Sequence, residues 1–220
     1  LYSLCIISLC ISGAFSQIKV RKLYPLQDPN SKGTKELKDY DMLKPLHEDG
    51  SDFSCKGYQW NTPLTPVATY CAGEIYELEL KGGATHGRGS CQIALSCDNG
   101  VHFQVLKSII GGCPVRGKYN FKIPDSAESA RCLLGWTWSN RVGNRAMYMH
   151  CAVVDIVGAQ ELKKKRDVED PSDSEASNSV QTALSMLPSL LVANLKGVND
   201  CRTKEIVVAV SPDPGDDVVY

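Results

Sequence analysis

The residues best placed for chemistry lie between Gly83 and Asn99, in the run Gly-Ala-Thr-His-Gly-Arg-Gly-Ser-Cys-Gln-Ile-Ala-Leu-Ser-Cys-Asp-Asn. Gly87 and Gly89 free the backbone beside His86 from the steric limits that other residues face, so the imidazole can be presented at a loop tip at a strand boundary. A histidine so presented is a candidate ligand, and the plainer alternative is a solvated loop residue. The remaining histidines have weaker claims. His47 lies in a polar stretch, His102 alternates with Val101 and Phe103 and is expected to face solvent, and His150 stands beside Cys151. Trp136 and Trp138 read as core, and Trp60 is the best candidate for an exposed aromatic.

Strands must position these groups. Ile93, Leu95 and Cys97 alternate with Ala94 and Ser96 as in a half-buried strand, Asp98-Asn99-Gly100 signals a hairpin, and Val101, Phe103 and Val105 alternate on its far side. The same alternation marks Tyr76 to Leu80, Tyr119 to Ile123, Leu134 to Trp138 and Ala152 to Ile156. Short alternating strands between Gly, Pro, Asn and Asp turns, with no stretch of helical period, predict an all-β chain, an antiparallel sandwich with long loops and about seven or more strands. Residues 17–55 are polar and turn-rich and read as an arm laid over the domain.

Four regions follow. Residues 1–16 read as a secretory signal peptide: Leu4 to Phe15 is apolar but too short to span a bilayer, and Gly13-Ala14-Phe15-Ser16 supplies the small residues of a cleavage site. Cleavage there makes Gln17 the mature amino terminus. Residues 17–157 form the sandwich domain with its arm. Residues 158–183 are charged and Ser-rich and read as a disordered linker, in which Lys163-Lys164-Lys165-Arg166 is either a solvated charge run or a dibasic processing site. Residues 184–220 are a C-terminal segment in which Leu184 to Leu195 packs back on the domain and Ile206 to Val210 forms one more strand before the Pro212-Asp213-Pro214-Gly215 turn.

The net charge of −1 supplies no basic face for nucleic acid, and no apolar run is long enough for a membrane span. The expected protein is a secreted, extracellular monomer. Eight cysteines remain after the leader, and an even count in a secreted chain implies disulfides whose connectivity spacing alone does not choose. No Cys-x-x-Cys pair occurs, which disfavours zinc and thioredoxin-like readings.

Several long blocks carry a resemblance: residues 50–63 (Gly-Ser-Asp-Phe-Ser-Cys-Lys-Gly-Tyr-Gln-Trp-Asn-Thr-Pro), Ala84 to Gln92, Ile109-Ile110-Gly111-Gly112-Cys113-Pro114, Trp136-Thr137-Trp138 and Gly143 to Cys151. They resemble the fungal lytic polysaccharide monooxygenases of auxiliary-activity family eleven. The resemblance implies an immunoglobulin-like sandwich that carries one copper ion on a flat face and oxidatively cleaves chitin. It further implies that the metal is held by the amine and imidazole of an N-terminal histidine and by a second histidine, with a tyrosine near the axial position. Nitrogen donors of this kind suit copper and leave room for oxygen. Carried over, the second histidine is His86 and the tyrosine is Tyr148, and these are the expected catalytic and metal-site residues. The blocks also imply that Cys91 pairs with Cys113 and Cys55 with Cys151, leaving Cys71, Cys97, Cys132 and Cys201 for further pairs.

Two positions depart from the family. Counting back from Tyr24-Pro25-Leu26, the N-terminal histidine falls on Gln17, which offers only its backbone amine and loses even that basicity if it cyclises. The glutamate usually found two residues before the tyrosine is Ala146, so a carboxylate able to orient oxygen or pass a proton is missing. Three function classes are therefore open: a copper-dependent enzyme acting on chitin or a related polysaccharide, a secreted relative that is catalytically impaired or wholly non-enzymatic and engages a cell wall or host, and a copper carrier or sensor, which would need a second good ligand. By family the first is implied, and by residues an impaired form of it.

Overall fold

The computed structural model describes residues 18–21, 23–32, 36–83, 85–161 and 184–220. Residues 1–17, with the expected leader and Gln17, and residues 162–183, with the basic run, lie outside the described residues. Nine strands form among the described residues: β1 Lys19–Val20, β2 Ala68–Cys71, β3 Ile75–Lys81, β4 Gly89–Ser96, β5 Gln104–Cys113, β6 Lys118–Lys122, β7 Ala130–Asn140, β8 Met147–Val157 and β9 Val218–Val219. They make a small sheet in the order β1-β3-β6 and a large one in the order β2-β8-β7-β4-β5-β9. The chain is a β-sandwich, with three disulfides among the described residues.

The core between the sheets follows from the alternation. Leu78, Leu80, Tyr119 and Phe121 of the small sheet meet Cys91, Ile93, Leu95, Leu134, Trp136, Trp138, Tyr148 and Val154 of the large one. Trp136 and Trp138 are fully buried, whereas Trp60 is 64% exposed. What alternation did not show is that the large sheet is covered on both faces. Ala94, Leu133, Met147, Met149, Cys151 and Val153 point away from the first core and form a second with Leu26, Leu46 and Cys55 of the arm and Leu195 of the C-terminal segment. The arm is fastened there by backbone bonds from Leu26 to the Cys151 carbonyl and from Leu46 to the Met147 carbonyl, both 2.8 Å. Ala94 and Ser96, expected on a solvated face, are therefore buried.

Three further expectations change. Ladders inside both sheets are antiparallel, but the outermost pairs of the large sheet, β2 with β8 and β5 with β9, are parallel. A parallel pair needs a long connection, and residues 72–146 lie between β2 and β8 and residues 114–217 between β5 and β9. The Asp98-Asn99-Gly100 signal marks a turn, with Asn99 at φ 59° and Gly100 at φ 87°, but Val101 is exposed and β5 begins only at Gln104. The Asp98 carboxylate accepts from the Ser96 hydroxyl and the His102 amide, which holds residues 97–103 as a wider loop and leaves His102 off the strand. Ile206 to Val210 is not a strand; the C-terminal strand is β9.

Cys91–Cys113 and Cys55–Cys151 are bonded as implied, with Cα atoms 5.8 and 5.4 Å apart, and Cys97–Cys132 forms a third bridge. Among the described residues Cys71 and Cys201 form no disulfide. Because Cys55–Cys151 ties positions 96 residues apart, opening it in a Cys55→Ala, Cys151→Ala variant is expected to cost about 4–5 kcal/mol of chain entropy. Chemical denaturation should show that loss; a midpoint shifted no further than that of a surface substitution would mean the arm is held without the bridge. His150, on β8, is buried and donates from Nε2 to the Met42 carbonyl at 3.0 Å. Burial pulls its pKa down from 6.5 to about 4, against the opposing pull of that carbonyl. The folded value lies below the unfolded one, so the neutral ring's contribution is complete above about pH 6.5 and is lost as pH falls toward 4, a difference of about 3 kcal/mol. Melting temperature should thus decline across that window in the unmodified chain and decline less in His150→Gln; parallel profiles would contradict the assignment.

Candidate functional site

The His86 loop is built by continuing a β-ladder past its last regular pair. Gly89 of β4 is registered with Asn140 of β7, and beyond them the Arg141 amide donates to the Arg88 carbonyl and the Val142 amide to the His86 carbonyl, each at 2.9 Å. Thr85 to Arg88 closes as a turn, with the Arg88 amide 2.6 Å from the Thr85 carbonyl. His86, Gly87 and Arg88 all have positive φ, of 42°, 68° and 72°. Such a run for two residues with side chains is costly and persists only where the surroundings over-determine it.

The β7–β8 hairpin supplies that restraint. Asn140 donates from Nδ2 to the Val142 and Asn144 carbonyls at 2.9 and 2.8 Å, and Arg145 donates to the Gly143 and Asn140 carbonyls. Gly143 faces the His86 ring, and a Cβ there would lie in ordinary van der Waals contact with Nδ1, at 3.6 Å. On another side the imidazole meets Trp138, ring centroids 6.0 Å apart, and Trp138 is registered with Tyr148 of β8, their rings 4.9 Å apart. His86 and Tyr148 thus flank one indole. Tyr148 is 6% exposed, and Ala146, two residues earlier on the same side of the chain, is partly buried against the same core. Gln17 lies outside the described residues, so its place relative to His86 and Tyr148 is not part of this geometry.

His86 Nε2 is buried and has no hydrogen-bond partner among the described residues. A buried nitrogen without a donor or acceptor is costly, and a metal ion is one way to satisfy it. Yet no cluster of three His, Cys, Asp or Glu side chains with metal-binding geometry occurs among the described residues. The nitrogen therefore fits as one donor of a set whose other members would be of a different kind, such as a backbone amine or a phenol. His102 is exposed and bonded to Asp98, His47 is exposed beside Ser51, and His150 is sealed in the core, so none of them adds to the set. Sequence reasoning missed Asn140 and Gly143, for which the turn-rich Asn140 to Asn144 run was the available signal.

No protein-family model matches the chain. Among curated proteins, the AA11 family lytic polysaccharide monooxygenase A of Aspergillus fumigatus is 47% identical over 167 residues, covering 76% of this chain and 68% of that one. The chain belongs to the AA11 family of lytic polysaccharide monooxygenases. The lytic polysaccharide monooxygenase B of A. fumigatus and an AA11 enzyme of Aspergillus oryzae are 38% and 37% identical, each over 80% of this chain, which spans 44% of their length. Two solved structures, HiLPMO9B and a cellulose-active polysaccharide monooxygenase from M. thermophila, superpose with TM-scores of 0.45 and 0.44 over 63% and 66% of this chain and 72% and 78% of theirs, at 16% and 13% identity. Lytic polysaccharide monooxygenases are in general copper-dependent and act on polysaccharides. No helix among the described residues is long and apolar enough to cross a membrane.

The junction between the His86 loop and the sheet is tight. A Cβ on Gly89 would lie 2.1 Å from the Ser139 carbonyl oxygen and 2.9 Å from Trp138 Nε1. Gly89→Ala must separate β4 from β7 at the point where Trp138 meets the loop, so it is expected to cost about 1–3 kcal/mol and to weaken the near-ultraviolet circular dichroism of the tryptophans. An unchanged spectrum and melting temperature would show that the strands part without disturbing Trp138.

Proposed function

We propose that this chain is a secreted AA11 lytic-polysaccharide-monooxygenase-like protein that acts on or binds chitin or a related cell-wall polysaccharide, with its copper chemistry impaired. The observation that supports this is the buried Nε2 of His86, without a hydrogen-bond partner among the described residues, next to Trp138, whose ring also meets Tyr148; the resemblance puts the family's N-terminal histidine at Gln17. Copper bound there would supply one-electron activation of oxygen toward the polysaccharide. In this reading His86 would offer one imidazole, the Gln17 backbone amine a second nitrogen and the Tyr148 phenol an oxygen. The neutral Gln17 amide does not replace an imidazole, and Ala146 has no carboxylate with which to orient oxygen or move a proton. The leader-like 1–16 run and three disulfides support secretion. Residues 17–157 are the sandwich unit, 158–183 its linker and 184–220 the segment that returns to it.

Losing a direct ligand should cost more copper affinity than the roughly 10- to 100-fold typical of outer-shell changes. Calorimetry on the correctly cleaved protein and its Gln17→His variant should therefore differ by more than that factor, with oxidised chitooligosaccharides absent from the unmodified protein by mass spectrometry. Chitin sedimentation in the absence of reductant separates an impaired enzyme that retains binding from a protein with no glycan role. Tight copper binding and copper- and reductant-dependent oxidised products from the unmodified chain would overturn the impairment.

A further inference from the structure

The C-terminal segment reaches the rim of the His86 site, although the linker and more than a hundred residues of chain separate them. The Gly143 amide donates to Glu205 Oε1 at 3.1 Å. The Ile206 amide donates to the Arg141 carbonyl, and the Arg141 Nε donates to the Ile206 carbonyl, both at 2.8 Å. Farther along, the Ala209 carbonyl accepts from the Ser90 hydroxyl on β4. Residues 205–209 therefore grip the tip of the β7–β8 hairpin and the start of β4 together. These are the two pieces of backbone that hold His86: the Val142 amide bonds its carbonyl, and Gly143 faces its Nδ1 edge. Ile206 makes its paired bonds at φ 67°, a conformation unfavourable for a β-branched residue, so the clamp is kept at a local cost.

We propose that Glu205 and Ile206 are positioning residues for the metal site, acting through Arg141, Val142 and Gly143 to fix the ring of His86. The segment joined through the linker is on this account part of the site's machinery and not a detachable tail. The inference rests on the reading of His86 as a ligand. A loop in which three consecutive residues have positive φ holds its shape only while enough partners oppose its relaxation, and the clamp contributes those that come from outside the sandwich.

The test uses the full-length mature chain. Glu205→Ala removes the acceptor of Gly143, Ile206→Pro removes the donor to Arg141, and Ile206→Gly keeps the donor and accommodates the positive φ. Two quantities are read: copper(II) affinity by calorimetry, and hydrogen exchange of the Val142 and Gly143 amides in the metal-free protein. Glu205→Ala and Ile206→Pro should weaken copper binding about tenfold and speed exchange, while Ile206→Gly should match the unmodified chain in both. Unchanged copper affinity in Glu205→Ala and Ile206→Pro, whether or not exchange quickens, would overturn the proposal. If the unmodified chain bound no copper, affinity would be read in the Gln17→His chain, and no binding there would overturn the ligand reading of His86 separately. The clamp would then be judged on the metal-free protein, where an unshifted His86 ring resonance in both variants would overturn it and a shifted one would sustain it.

Discussion

One cross-strand row sets the position of everything near the site: Cys91 on β4, Trp138 on β7 and Tyr148 on β8, registered side by side. The indole at its centre is fully buried, with the tilted rings of Tyr148 and His86 packed against it at centroid distances of 4.9 and 6.0 Å. Burying a tryptophan of this size removes on the order of 200 Å² from water, worth roughly 5 kcal/mol, so the row is not easily displaced by changes at the rim. Cys91 is in turn bonded to Cys113 on β5, which locks the strand that delivers the His86 loop to its other neighbour. A loop with costly backbone angles is thereby mounted on the least yielding part of the sheet.

The same sheet depends on two coverings that do not belong to the sandwich proper. The arm seals the face carrying Met147, Met149 and Cys151, and the C-terminal segment seals a polar area where Gln92, Ser108, Thr137 and Ser139 would otherwise be wet. The Leu191 amide donates to Gln92 Oε1, and Ser108 donates from its hydroxyl to the Pro214 carbonyl and from its amide to the Asp217 carbonyl, so the covering chain supplies partners to Gln92 and Ser108. This is why β4, β7 and β8 are buried almost throughout while their sequences alternate.

Much of the fold was legible because period-two alternation reports one buried face directly: Leu78, Phe121, Leu134 and Val154 all point into the core that their spacing implies. The second core was not legible, since a Met or Ala on the opposite face reads the same whether solvent or a distant arm covers it. The parallel edge strands and the lack of a strand at Ile206 to Val210 were hidden for a similar reason, as their partners lie far away in sequence. Of the site, His86 was marked by its flanking glycines, whereas Tyr148 entered through family resemblance alone. The roles of Asn140, Gly143 and Glu205 are matters of tertiary contact, and Glu205 in a charged, unpatterned stretch carried no local signal at all.

Family membership and the proposed site reading pull in different directions: the chain belongs to the AA11 family and holds His86 and Tyr148 against one indole, while the proposed reading gives Gln17 and Ala146 no imidazole and no carboxylate to offer copper. The most direct test counts imidazoles. Electron spin-echo modulation of the mature protein loaded with one equivalent of copper(II) should show the remote nitrogen of a single imidazole, and His86→Ala should abolish it. Modulation from two imidazoles, or a signal that survives His86→Ala, would contradict the account.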